Sequence, residues 1–456
     1  MKDAFVVDLK RTAVRNWAGA RYVLRHAHPA RLLLGGYISY VLLGWCMLSL
    51  PWAQAVPVLP IDNLFMAASA VSTTGLATVD TGTSYTLFGE VVLLMLIQLG
   101  GLGYMTIGSF AVMALAHDIG PLRRTTARAA FNLPDGIDIS SFLASVLVFT
   151  LVTELVGAVA LYAAFAERGT PDPLWNAIFH SVSAFCTAGF SLFPNSFEDF
   201  RTDIPVNATL SVLSILGAIG FIILVDTWRR LTGRPRRLGF TSTVIARMTA
   251  VFLICGTLIV FVAEPAISQL GAGDRLMTAF FQTMSASTTV GFDTYPIGSL
   301  SAATMVLLLF LMAIGASPAG TGGGLKTTTF AVLLALVRST LRGRSRIQFF
   351  GRKVRQVRIQ AASAALAYFF GLLLVASFLL MLTEQGAEFE KILFEAISAM
   401  GTVGLSMGLT GDLSYLGKVI IVVLMMAGRV GFITFGIALA GTGETREPQT
   451  DNDLVL

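Results

Sequence analysis

Phe281-Gln282-Thr283-Met284-Ser285-Ala286-Ser287-Thr288-Thr289-Val290-Gly291-Phe292 is one of four copies of a single pattern in this chain. Its pattern, F-x-x-x-S-A-x-x-T-x-G followed by Phe or Leu, recurs as Phe65–Leu76, Phe179–Phe190 and Phe394–Leu405. The fixed positions keep their register in all four copies, and the terminal glycines, Gly75, Gly189, Gly291 and Gly404, are spread almost evenly along the chain. Four tandem copies of one structural unit are the natural reading.

Each copy predicts a short helix ending in a bend. The small and apolar residues before the Thr suit roughly ten residues of helix, too short to cross a bilayer and better read as re-entrant. The Gly supplies a close approach or an unusual dihedral. The carbonyl end of a helix carries partial negative charge. Four such ends aimed at one axis would replace the hydration shell of a cation with carbonyl oxygens, as a potassium-type filter does. The candidate ion ligands are therefore the backbone carbonyls of Thr73, Thr74 and Gly75, of Thr187, Ala188 and Gly189, of Thr289, Val290 and Gly291, and of Thr402, Val403 and Gly404.

Composition agrees with a membrane setting. Of 456 residues, 55% are hydrophobic and only 13% charged, and the mean hydropathy is +0.74, which excludes an ordinary soluble multidomain protein. The net charge of +5 is read as a topology signal rather than a nucleic-acid footprint. Cys46, Cys186 and Cys255 are too scattered for a disulfide framework or a zinc site and are read as buried thiols. No cleavable signal peptide is read in residues 1–31.

An apolar run flanks every copy on each side. The preceding runs are about Leu32–Leu50, Phe142–Ala166, Val244–Ala263 and Ala361–Leu382. The following ones are about Leu87–Leu115, Val206–Val225, Ala302–Val337 and Leu416–Leu439. Eight spans result. The fold class expected is an all-α polytopic membrane protein, with four span/pore-helix/span repeats in pseudo-fourfold symmetry around one pore. The divisions are an N-terminal segment 1–31, repeats at 32–116, 141–226, 244–337 and 361–440, a basic linker 338–360 and a tail 441–456. Residues 1–31, 117–140, 227–247, 338–358 and the tail hold twenty-five of the 32 Lys and Arg. By the positive-inside rule both termini are cytoplasmic and the four copies face outward.

A second repeat follows the first. Gly100-Gly101-Leu102-Gly103-Tyr104, Gly217-Ala218-Ile219-Gly220-Phe221 and Gly428-Arg429-Val430-Gly431-Phe432 interrupt three of the following spans, as in tightly packed or broken helices. In the third span, Gly315, Ser317, Pro318, Gly320, Gly322, Gly323, Gly324 and Lys326 fall within twelve residues, a density no helix survives. Non-helical backbone at membrane depth persists only where protein or a water-filled cavity satisfies it. Residues 315–326 therefore read as a loop in the pore, placed to gate it. Arg429, inside the fourth span, is costly there unless it meets carbonyls or the cavity, and near a cation path it raises the barrier.

Other chemistries fit less well. Gly320–Thr328 has Leu325 where a phosphate loop needs Gly, and no strand precedes it. His180 and Ser317 lack a third partner for a hydrolase, and no paired spacing suggests a resident metal. A carrier with alternating access is the non-channel alternative, but it predicts one or two broken helices rather than four equivalent turns.

The four span/T-x-G/span units, the glycine-rich break in the third inner segment and Arg429 in the fourth together resemble the Ktr/Trk/HKT superfamily of potassium transporters, over nearly the whole chain. Eight spans look most like its KtrB-type membrane subunits; a TrkH-like or less selective potassium/sodium transporter is the alternative. The resemblance implies potassium uptake across the bacterial inner membrane, with potassium as substrate at the filter carbonyls and no cofactor in this chain. Gly75 fits the potassium-preferring members. The gate falls on Gly315–Lys326 with Arg429 as its basic partner. Sodium is a candidate activator. A homodimer in the lipid bilayer, seated on a cytoplasmic RCK-type nucleotide-binding ring, is implied, with the basic segment Arg338–Arg358 as its docking surface. The sequence departs from the T-V-G-Y-G pattern: Ala77, Ser191, Asp293 and Ser406 stand where a second glycine would be, and Thr74 and Ala188 replace Val.

Overall fold

At every copy of the motif the chain builds the same succession of a long apolar helix, a short helix, a T-x-G turn and a further apolar helix. The computed structural model describes residues 29–116, 139–221, 223–224, 226–227, 239–315, 317–344 and 346–440. The tail 441–456, nearly all of the N-terminal segment 1–31, and most of the basic stretches 117–140 and 227–247 lie outside the described residues, as does Ala316.

The first unit contains α1 (Pro29–Leu48), α2 (Pro60–Ser72), the single turn α3 (Thr81–Ser84) and α4 (Leu87–Ala116). The second has α5 (Ile139–Glu167), α6 (Pro173–Phe185) and α7 (Ile204–Ile219), and the third α8 (Phe240–Ala263), α9 (Ala272–Thr288), α10 (Ala302–Ala313) and α11 (Thr327–Leu341). A small hairpin, β1 (Gln348–Phe349) with β2 (Arg352–Lys353), leads to α12 (Gln356–Thr383), α13 (Phe389–Gly401), α14 (Tyr415–Val430) and α15 (Phe432–Ala440). The chain is mostly helical as expected, and the basic linker 338–360 is partly helix and partly a two-stranded ribbon turning through Phe350 and Gly351, both at positive φ.

Proline at the first turn starts α2 and α6, where its missing N–H costs nothing. The motif helices α2, α6 and α13 run 13 residues and α9 runs 17. Phe65, Phe179, Phe281 and Phe394 of the motif are wholly buried, as are its alanines Ala70, Ala184, Ala286 and Ala399. Bulk and smallness at fixed positions let four short helices sit close together, the kind of packing that drives association where lipid is as apolar as the side chains.

The long helices face outward with apolar side chains. Leu147, Leu151, Leu155 and Val159 of α5 and Leu374, Phe378 and Leu382 of α12 are exposed, as helices bathed in hydrocarbon require. Cys46 and Cys255 are also exposed and only Cys186 is buried, which corrects the buried reading of the first two. Among the described residues α5 (from Ser145), α8 and α12 are each long and apolar enough to cross a membrane, with α14 and α15 as a bent pair and five shorter apolar helices beside them. Among the following spans α4 runs unbroken through residues 100–104, which corrects the interruption expected there, whereas the other three are not continuous. α7 stops at Gly220 (φ 86°) and α14 at Gly431 (φ 94°), and α15 turns away from α14 by 110°.

The units interlock in cyclic order. α4 packs on α6, α7 on α9, α10 on α13, and α14 on α2, so the last unit closes against the first. At that closure Lys418 Nζ meets Asp62 Oδ1 at 2.6 Å, with both side chains nearly buried. The third and fourth units also share a clasp. Glu264, ending α8, accepts from Ser301 N and Oγ at the start of α10, and Glu384, ending α12, does the same for Ser414 at the start of α14.

Candidate functional site

The turn after each motif helix is built the same way. Thr73, Thr187, Thr289 and Thr402 lie at φ 51°, 49°, 60° and 50°, a left-handed conformation unusual for a β-branched residue. The reversal lets the next N–H return to the helix: Thr74 N to Ser69 O, Ala188 N to Ser183 O, Val290 N to Ser285 O and Val403 N to Ser398 O, at 2.8–3.2 Å. In the first, second and fourth copies the motif serine adds a second hold. Ser69 Oγ accepts from Gly75 N and Ser398 Oγ from Gly404 N, each at 3.1 Å, and Ser183 Oγ donates to Phe190 O at 2.8 Å. These serines were part of the repeated pattern, but only the structure gives them a task.

The glycines sit at φ 89°, 69°, 80° and 96°. A Cβ on Gly75 would press on the Ala188 carbonyl oxygen, one on Gly189 on that of Val290, one on Gly291 on that of Val403, and one on Gly404 on that of Thr74. The contacts run from first to second to third to fourth copy and back to the first, so the carbonyl of each middle filter candidate abuts the glycine of its neighbour. All four glycines line one open cavity of about 380 Å³, together with Asp80, Ser191, Ser196, Asp293, Ser406 and Thr410. Asp293 is half-buried there. Burial first and repulsion from Glu198 second push its carboxyl up to about 7, against the opposing hydrogen bond with Ser196.

The threonine end of the turns meets the glycine-rich loop. Thr73 Oγ1 donates to Thr321 O at 3.3 Å, Thr187 Oγ1 pairs with Thr321 Oγ1 at 3.0 Å, and a Cβ on Gly323 would strike the Thr402 side chain. Thr321 falls inside the segment singled out from sequence but was not among the residues named there. The loop is held by the broken end of α7. Ser317 N bonds Ala218 O, Thr321 N bonds Gly217 O, and Phe221 N bonds Ala319 O, at 3.0–3.1 Å. Two interruptions, Gly217–Gly220 and 315–326, thus satisfy each other's backbone.

Within the loop Gly315 packs on the Gly323 carbonyl and Gly324 (φ 71°), Gly320 on the Ala218 carbonyl, and the Pro318 carbonyl lies against Gly220. Ser317 Oγ pairs with Thr327 Oγ1 at 3.1 Å. Lys326 Nζ donates to Gly322 O at 2.6 Å and Gly323 O at 3.4 Å, an internal tie rather than a phosphate cradle. Arg429 reaches the same place from α14, its guanidinium donating to Thr321 O and to Gly100 O. Gly100, Thr321 and Arg429 thus join three separate units. His180 and Ser317 bond to different partners, His180 to Asn176, Ser191 and Leu192.

Comparison with known proteins agrees with this architecture. Residues 47–443 match the family model TrkH, described as a cation transport protein. The Ktr system potassium uptake protein B of Bacillus subtilis is 36% identical over 93% of this chain and 96% of its own length, and that of Vibrio alginolyticus is 35% identical over 90% and 91%. The potassium/sodium uptake protein NtpJ of Enterococcus hirae is 34% identical over 91% and 94%. Among solved structures, the potassium transporter TrkH from Vibrio parahaemolyticus superposes with a TM-score of 0.70, covering 89% of this chain and 85% of that one, at 22% identity. The resemblance first carried by the motif copies is borne out, and the chain belongs to the TrkH family of cation transport proteins, standing with the Ktr system proteins within it.

Proposed function

We propose that this protein takes up potassium across the bacterial plasma membrane through a channel-like pathway of approximate fourfold symmetry. The observation that carries the reading is the cycle of glycine-to-carbonyl contacts around a single cavity. Carbonyls of Thr73–Gly75, Thr187–Gly189, Thr289–Gly291 and Thr402–Gly404 replace the hydration shell of the ion. Loop 315–326, against the threonine end, blocks or opens the path. Arg429 places positive charge beside that loop and raises the barrier while the loop is closed. A membrane potential of about 100 mV supplies roughly 2.3 kcal/mol per charge for inward flow.

The names of the Ktr system relatives support potassium as the substrate. The one named a potassium/sodium uptake protein, and the Thr74 and Ala188 departures, favour weaker discrimination against sodium as a second reading. Sodium as an activator, a homodimer and an RCK-type regulatory ring belong to the same proposal. A basic cleft of about 370 Å³ lined by Arg352, Lys353, Arg355, Arg358 and Phe240 supports docking on the linker side. Cytoplasmic termini follow from the distribution of Lys and Arg. The test is ion flux in liposomes holding the purified protein under defined gradients. Potassium uptake faster than sodium uptake supports the proposal, and no cation flux under either gradient contradicts it.

A further inference from the structure

Behind the four turns, the residue that follows the motif Phe differs in every copy: Met66, His180, Gln282 and Glu395. All but Met66 reach across to the segment that leaves the turn. His180 Nε2 lies 3.1 Å from Ser191 Oγ and accepts from Leu192 N at 3.1 Å, while Nδ1 faces the Asn176 carbonyl at 2.8 Å. That carbonyl requires a proton on Nδ1, which leaves Nε2 as the acceptor. Glu395 Oε1 accepts from Ser406 Oγ and, at 2.8 Å, from Thr410 Oγ1. Gln282 Nε2 donates to Tyr295 O at 2.9 Å.

Ser191 and Ser406 each stand two residues beyond the filter glycine, at the place where the T-V-G-Y-G pattern would have its second glycine. Each serine also gathers a following backbone N–H: Phe193 N to Ser191 Oγ at 3.0 Å and Gly408 N to Ser406 Oγ at 2.9 Å. Copies two and four therefore share one device, a polar side chain on the short helix bonded to a serine that holds the outgoing turn. In cyclic order these copies are opposite each other. The intervening copies carry Ala77, with no hydroxyl, and Asp293, whose N–H bonds Ser196 Oγ at 3.2 Å.

We infer that the His180–Ser191 and Glu395–Ser406 pairs are positioning residues that hold the glycine end of two opposite turns at the width that separates potassium from sodium. The inference rests on the proposed filter. A carbonyl ring that relaxes inward by a few tenths of an ångström serves the smaller ion better, and these pairs fix the segment immediately beyond the last candidate carbonyl. Neither pair touches the ion.

Flux in liposomes containing the full-length protein tests this, with potassium and sodium as the two probes and the amount of reconstituted protein measured separately. Ser406→Ala and Ser191→Ala are small changes, and each is expected to lower the potassium-to-sodium rate ratio about tenfold, the scale of one buried hydrogen bond lost. Glu395→Ala is expected to do the same, with Glu395→Gln restoring the ratio because its amide oxygen still accepts. The double variant Glu395→Ala/Ser406→Ala is expected to be no worse than either single. Ser299→Ala, on an exposed turn, serves as the unaltered control. A wild-type ratio held by Ser406→Ala and Ser191→Ala, with rate falling only in step with protein recovered, would overturn the inference alone. A wild type that does not distinguish the ions would overturn both the inference and the selective filter on which it rests.

Discussion

Thr289 and Gly291 show at the scale of single residues how the turn is specified. A threonine at φ 60° is strained and survives because helix carbonyls hold the turn, while the glycine two residues later, at φ 80°, takes a conformation open to glycine without strain. Any side chain on Gly291 would press on the Val403 carbonyl oxygen. Gly291→Ser adds about 1–2 kcal/mol of local strain and displaces a neighbouring carbonyl. The expected outcome is a potassium-to-sodium uptake ratio about tenfold lower in a potassium-uptake-deficient strain; an unchanged ratio contradicts a filter role for this glycine.

Asp293 makes a second prediction at this scale. With its carboxyl pushed up to about 7, it is neutral below that pH and negative above it, where it attracts cations to the cavity. Uptake at subsaturating potassium is expected to rise about threefold as external pH climbs through 7, and Asp293→Asn to remove that step. A step that persists in the variant assigns it to another group.

The elements were unevenly legible in the sequence. Four short helices with T-x-G ends were readable because the signal is local and repeated, and the glycine-rich interruption because Gly and Pro disfavour helix whatever surrounds them. The breaks at Gly220 and Gly431 were only hinted at by G-x-x-G-F, since whether a glycine ends a helix depends on what its freed backbone meets. At Gly220 it meets the loop, whose Ala319 carbonyl accepts from Phe221 N. His180 looked like a lone histidine because Ser191 and Leu192 become its partners only after the turn folds back. The hairpin at 348–353 was masked by the basic charge that marked the segment as a linker.

Loop and guanidinium form one unit at this scale. If the proposed gate holds, deleting residues 316–323 is expected to raise potassium flux, and Arg429→Gln to raise it by a smaller factor, because both meet at Thr321. Single-turnover flux in liposomes checks both, and a folded deletion protein with no gain contradicts a gate there.

For the whole molecule the decisive property is closure, the fourth unit packing on the first. Lys418 and Asp62 span that seam with an almost fully buried ion pair. Lys418→Met leaves Asp62 uncompensated and is expected to cost about 3–5 kcal/mol, whereas the paired change Lys418→Met/Asp62→Leu recovers most of that loss. Thermal unfolding in detergent measures the difference, and equal losses in the two variants contradict a buried pair at the seam. Cyclic order itself was beyond sequence pattern, because the contacts that close it join residues hundreds of positions apart, as at Gly404 against Thr74.

On the proposed function, four turns of one polypeptide surround a dehydrated monovalent cation. The most direct measurement is anomalous diffraction from crystals grown with rubidium in place of potassium. Scattering peaks are expected on the axis between the carbonyls of residues 73–75, 187–189, 289–291 and 402–404. Rubidium bound elsewhere in the chain, with none between those carbonyls, would contradict that arrangement.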